Sequence, residues 1–282
     1  MNRIKLNSIG LHPVKSTAIR HVQSATVESW GLAGDRRWMV VDGDGVLVTA
    51  RELRELFTIT ADTPETDPPS PTALRLSADG HGTVDVDEPG SGLVPVRLHA
   101  HDLKARPAAR TATDWVRRVL GRDDVALVWC DEPARRSLNP SYSRPGDHTA
   151  FADGYPVTLA SLDSLRRLND WMAEDALLRG DEPPAPLPVE RFRANLVVSG
   201  AEPFAEDSWT RVRIGEATFR KAKRVDRCVM TTISLLDLST GKEPIRTLAR
   251  HRLHDHKTWF AIHLIPESLG RIEIGDQVVL ED

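Results

Sequence analysis

Apolar and polar residues alternate over short stretches from the start of the chain, a period of two that sends successive side chains to opposite faces of a strand. IKLNSIG from Ile4, ATVESW from Ala25 and RRWMVVDGDGVLVTA from Arg36 all read this way. In the last, Asp-Gly-Asp-Gly between Trp38–Val41 and Val46–Val48 predicts a hairpin, because such turn residues accept the positive φ that a tight reversal needs. Further short strands are expected at 73–76, 83–86 and 94–98, set apart by DTPETDPPSP and DEPGSG.

The period lengthens twice. In TATDWVRRVLG, Val116, Val119 and Leu120 share a helical face, Thr111 with Asp114 suggests a capping box, and Gly121 can close the helix. In SLDSLRRLNDWMAEDALLRG, Leu162, Leu165, Leu168 and Met172 recur at helical spacing behind Ser161 as N-cap, predicting a helix over 162–179. GDEPPAPLP then reads as an exposed linker, and strands return from Arg191. RVRIGEATF at 211–219 and RIEIGDQVV at 271–279 each alternate, turn at Ile-Gly-acid and resume, so each is expected to be a hairpin of an antiparallel barrel or sandwich. The fold class is therefore β-rich α+β, with a domain boundary soon after the first helix.

With 282 residues, 40% hydrophobic and 28% charged, the chain can bury a sizeable core as one large domain or two small ones. A formal charge of −4 with no basic tail or acidic block argues against nucleic acid or an anionic membrane as the main partner, so any charge-driven function is local. No apolar run approaches the roughly 18 residues of a membrane span, and MNRIKLNSIGLHPVKS lacks the apolar core of a signal peptide. The expected location is cytoplasmic, where Cys130 and Cys228, the only cysteines, would be free thiols.

In RKAKRVDRCVMTT, the cations Arg220, Lys221, Lys223, Arg224 and Arg227 lead up to Cys228. Positive charge favours a thiolate, the form that attacks electrophiles and binds soft metals. The same alternation also allows solvated cations on one face and a cysteine that fills core on the other. Cys130 ends the apolar VALVW and meets Asp131 and Glu132, which suits a core position. His251, His254 and His256 match no familiar ligand spacing and read as a polar face. Lys15, Ser16 and Arg36 are types suited to holding an anion.

Three segments carry a resemblance: PVKS at 13–16 followed by GDRRWMVVD and VTAR; RFRANLVVSGAEPFAEDSW at 191–209; and DRCVMTTIS at 226–234 followed by GKEPIRTLARHR. Together they resemble the MOSC family, the molybdenum cofactor sulfurase C-terminal domain. The resemblance implies an N-terminal MOSC-type β-barrel region over 1–122, then a MOSC β-barrel over 123–282 with a few peripheral helices. Members with this layout are similar to the mitochondrial amidoxime-reducing component and its bacterial relatives. They imply a molybdopterin-dependent oxidoreductase that reduces small N-hydroxylated or N-oxide compounds with electrons from a separate protein, a ferredoxin or a flavin or haem reductase. The alternative is a carrier of molybdenum cofactor or sulfur that does not turn over.

By the same resemblance, Cys228 matches the cysteine that coordinates molybdenum and is the catalytic position, while Lys15, Ser16, Arg36, Arg193, Asn195 and Arg227 match cofactor-contacting positions. Ser161, at a helix start, could receive the cofactor's phosphate. Asp207 and Trp209 fit the motif and could equally brace the barrel. Many relatives read Cys-Ser-Arg-Cys before the metal ligand, whereas Val225 and Asp226 precede Arg227 here. A carboxylate there is unfavourable beside an anionic cofactor unless it meets a pterin donor or pairs with Arg227.

Overall fold

The computed structural model describes residues 3–90 and 92–281. Its largest sheet runs Val278–Glu281, Arg211–Ile214, Ala217–Asp226, Lys257–Ser268, Val157–Ser161, Leu196–Ser199, Lys5–Leu11, Arg20–Val22. Neighbours are antiparallel except Val157–Ser161 beside Leu196–Ser199, a parallel step made possible by the intervening helix Leu162–Leu178. The sheet then meets itself: Lys5 bridges Gln277, the Leu6 N–H donates to the Asp276 carbonyl and the Val278 N–H donates to that of Ile4, each at 2.9 Å. The result is a barrel. Leu6, Ile9, Leu159, Leu196, Val212, Phe219, Ile262 and Leu264 fill its interior, all fully buried.

The first strand therefore belongs to the barrel of the second half, and Ser24–Glu28 likewise pairs with Gly270–Glu273. The remainder of the first half forms a four-stranded sheet, Trp38–Val41, Ala126–Trp129, His101–Pro107 and Val94–Leu98, and a three-stranded one, Thr60–Asp62, Leu74–Ala78 and Gly82–Val86. Helix Arg110–Leu120 covers them, with Trp115, Val116 and Leu120 packed in one cluster with Leu56, Leu74 and Leu127. The protein is β-rich, with three α-helices among the described residues, none long and apolar enough to cross a membrane.

Local expectations fare differently. RVRIGEATF is the hairpin its alternation predicts, with Ile214 opposite Ala217 and Gly215 at φ 53° in the turn. RIEIGDQVV is not: its first arm pairs with Ser24–Glu28, and Val278–Glu281 pairs with Arg211–Ile214. The turn residues act on outside partners, since the Gly275 N–H bonds the Leu6 carbonyl at 2.8 Å, so the second arm leaves its own hairpin for the barrel seam. Helix Arg110–Leu120 closes at Gly121 in the left-handed region as expected, but Thr111 already lies inside it and Ala109 stands at the N-cap. The capping box does not form.

Candidate functional site

A cavity of about 330 Å³ opens between the outer face of the barrel and the first half of the chain, within the size range of small-molecule and cofactor sites. Barrel alternation supplies one wall. Leu159, Ile262 and Leu264 point inward, so Thr158 and His263, paired across neighbouring strands, point outward into the cavity. Loops supply the rest, and Ser16, Arg36 and Arg193 adopt φ of 72°, 49° and 50°, left-handed conformations that cost roughly 1–3 kcal/mol each and that tend to cluster at ligand sites.

Six cations line this space, Lys15, Arg36, Arg51, Arg191, Arg193 and Arg227, against the carboxylates Asp153 and Asp226. Six less two leaves a formal +4 in a chain whose total is −4. The site attracts anions.

Arg227 is held by the Phe260 carbonyl at 2.8 Å from Nε and the Phe192 carbonyl at 2.9 Å from Nη1, with its guanidinium against both rings. Arg193 donates from Nη1 to the Thr17 carbonyl at 2.8 Å and stacks on Phe57. Burial pulls both guanidiniums well down from their ordinary range. In each, Nη2 is buried with no hydrogen-bond partner among the described residues. Arg36 donates to Asp35, to Asn195 Oδ1 at 3.1 Å and to the Arg193 carbonyl at 3.3 Å.

Asn195 lies behind the cavity wall. Its Oδ1 accepts from Arg36 and from the Thr158 N–H at 3.2 Å, and its Nδ2 donates to the Gly10 carbonyl at 3.0 Å. It can act on a ligand only through the lining residues it holds, Arg36 and Thr158. Ser161 is fully buried away from the cavity, and its Oγ accepts from the Asp163 and Ser164 N–H groups. The structure does not bring it to the cavity: the hydroxyl is spent on capping its own helix. Asp207 and Trp209 brace the structure, Asp207 by accepting from Arg252 and, at its carbonyl, from Lys221 at 2.7 Å, and Trp209 within the barrel core.

Cys228 is exposed at the cavity and Cys130 is buried, its thiol pushed up to about 11 chiefly by burial. The core-filling alternative thus holds for Cys130 and fails for Cys228. The cation run does not surround the sulfur, however. Arg220 pairs with Asp147 and Glu267, Lys221 bonds the Asp207 carbonyl, Lys223 lies over Tyr142 and Arg224 over Trp259. Only Arg227 of the run lines the cavity. Asp226 does not pair with Arg227, whose guanidinium turns inward, and its nearest ion-pair partner is Lys257 at 4.0 Å.

The MOSC domain family matches residues 146–279, and the MOSC N-terminal beta barrel domain family matches residues 3–123. The chain carries a MOSC domain and a MOSC N-terminal beta barrel domain. It is 29% identical to mitochondrial amidoxime-reducing component 1 of Homo sapiens over 96% of this chain and 81% of that one. Mitochondrial amidoxime reducing component 2 of Rattus norvegicus is 29% identical over 97% and 82%. Molybdenum cofactor sulfurase of Oryza sativa subsp. japonica is 29% identical over 98% of this chain but only 35% of its own length.

Several residues of this MOSC cavity escape sequence reasoning. Arg51 donates from Nη2 to Cys228 Sγ at 3.4 Å. Asp153 accepts from Lys15 Nζ at 2.6 Å and meets His99 Nε2 at 3.0 Å. Burial pushes the Asp153 carboxyl up, but Lys15 and His99 pull it well below the usual range. His263, half-buried and beside Arg227 and Lys223, is driven down to about 3, chiefly by desolvation, and stays neutral. VTAR contains Arg51, but nothing local marks that arginine as the partner of a sulfur 177 positions away. His251 stacks on Trp171 and meets Asp175, and no group of three or more His, Cys, Asp or Glu among the described residues could hold a metal.

Lys15 gives the site a pH dependence. Burial pulls its ammonium down to about 8, against the opposing pull of Asp153. Its charge is therefore present below about 8 and lost as pH rises through that value. Sulfate, whose own charge is constant over this range, is expected to bind the ligand-free protein more weakly at pH 9.5 than at pH 7, by calorimetry. Lys15→Met should weaken that dependence, leaving the part that the lowered Arg193 and Arg227 contribute, and a flat parent profile would remove Lys15 from the anion site.

Proposed function

We propose that this protein is a molybdenum-cofactor-dependent oxidoreductase that reduces small N-hydroxylated or N-oxide compounds with electrons from a separate protein, in the cytoplasm. The observation that supports it most is an accessible cysteine sulfur in a cavity lined by six cations, two of which, Arg193 and Arg227, each keep a buried Nη2 with no hydrogen-bond partner among the described residues. Buried donors left unpaired cost about 1–3 kcal/mol each, more when charged, and an anion held in the cavity beside them would offset part of that cost. A molybdopterin, which carries a phosphate, a polar pterin edge and a soft-metal centre, matches that donor set.

In this reading Cys228 ligates the metal, Arg193, Arg227, Arg36 and Lys15 hold the anionic group, Ser16 shapes the loop against it, and Asn195 keeps Arg36 in place. The bound cofactor would supply two-electron removal of oxygen from nitrogen. The reaction consumes two protons and releases water for each N–O bond broken. Asp153 and Tyr155 line the same cavity as Cys228, so the protein sets orientation and polarity around the reacting group. The two domains of this reading are 1–122 and 123–282.

Cofactor-loaded protein given an excess of benzamidoxime and a chemical reductant is expected to form benzamidine over many turnovers. No turnover, with transfer of at most one cofactor or sulfur per chain to an acceptor protein, would favour the carrier instead.

A further inference from the structure

Cys228 belongs to the second half of the chain, and the guanidinium that hydrogen-bonds its sulfur belongs to the first. Arg51 rises from a tight turn: the Glu52 and Leu53 N–H groups both bond the Thr49 carbonyl at 2.9 Å, the Arg51 N–H bonds Thr49 Oγ1 at 3.3 Å, and Ala50 is fully buried. The launch point is fixed. From there Nη2 reaches Cys228 Sγ at 3.4 Å, a normal N–H···S separation, and lies 3.8 Å from Asp153 Oδ2. The other oxygen of Asp153 takes Lys15 and His99. A continuous polar chain thus runs from Lys15 through Asp153 and Arg51 to the sulfur.

We propose that Arg51 is a positioning residue for the Cys228 sulfur, holding its side chain toward the cavity and withdrawing electron density from it once it ligates a metal. The second part rests on the molybdenum reading of Cys228; the first does not. An exposed cysteine on extended backbone, φ −114°, has staggered rotamers open to it, and an N–H donor with a full charge selects the one that faces Arg51. At a metal, the same donor weakens the thiolate's donation and favours the reduced state, which raises the reduction potential.

The test compares the parent with Arg51→Leu and Arg51→Lys, both expected to fold because the side chain is one-third exposed. In metal-free protein at fixed pH, iodoacetamide counts Cys228 alone, since Cys130 is buried with its thiol pushed up to about 11. Arg51→Leu is expected to slow alkylation about threefold or more, with Arg51→Lys in between. In loaded protein, the midpoint potential from a molybdenum spin-resonance titration is expected to move negative in Arg51→Leu and less so in Arg51→Lys. Equal alkylation rates would overturn the positioning role, and an unchanged or more positive potential would overturn the tuning role. A parent that takes up no molybdenum yet shows the alkylation difference would sink the cofactor reading while supporting the contact.

Discussion

Asn195→Ala is expected to destabilise the protein by about 2–4 kcal/mol and to weaken anion binding with it. Asn195 is fully buried, and its amide serves three groups at once: the Thr158 N–H, the Gly10 carbonyl and the Arg36 guanidinium. Each buried group left unpaired costs about 1–3 kcal/mol. Cavity water can reach Arg36 in the variant, so the total falls short of the full sum. Gly10 and Thr158 sit on barrel strands that Asn195 joins, its own N–H bonding the Thr158 carbonyl and its carbonyl the Gly10 N–H. Losing the amide therefore loosens the wall that carries Arg36. Urea denaturation measures the first effect and sulfate calorimetry the second. A loss below about 1 kcal/mol, with sulfate affinity unchanged, would show that Asn195 does not hold this corner together.

What was legible in the sequence was local. Alternation placed the hairpin at 211–219, Ser161 marked a helix start, and the left-handed closure at Gly121 followed from the residue itself. Long-range pairing was not legible. Nothing in IKLNSIG says that it pairs with Leu196–Ser199 and closes the barrel at Gln277 and Val278, and nothing in RIEIGDQVV says that its arms part company. Alternation specifies which face is buried but leaves the partner open.

The site divides along the same line. Lys15, Ser16, Arg36, Arg193, Arg227 and Cys228 lie in separate motifs and meet around one cavity. The cation that hydrogen-bonds Cys228 is not one of the run that precedes it. Arg220 and Lys221 are occupied by Asp147, Glu267 and the Asp207 carbonyl, all far from them in sequence, while the arginine on the sulfur comes from VTAR. Sequence distance hides both the neutralisation and the replacement. Ser161 shows the converse: its capping chemistry was readable, but its distance from the cavity was not.

Cys228→Ser carries the largest functional effect expected here. Serine keeps the size of the side chain and the nearby Arg51 but replaces a soft sulfur with a hard hydroxyl, a poor ligand for a thiolate-selected metal. Cys228 is exposed and packs little, so the fold should be unaffected while metal is lost. The decisive measurement is molybdenum content by elemental analysis of parent and variant purified from a molybdenum-replete host. The account predicts about one metal per parent chain and a tenth of that or less in Cys228→Ser. Equal molybdenum in the two proteins would contradict it.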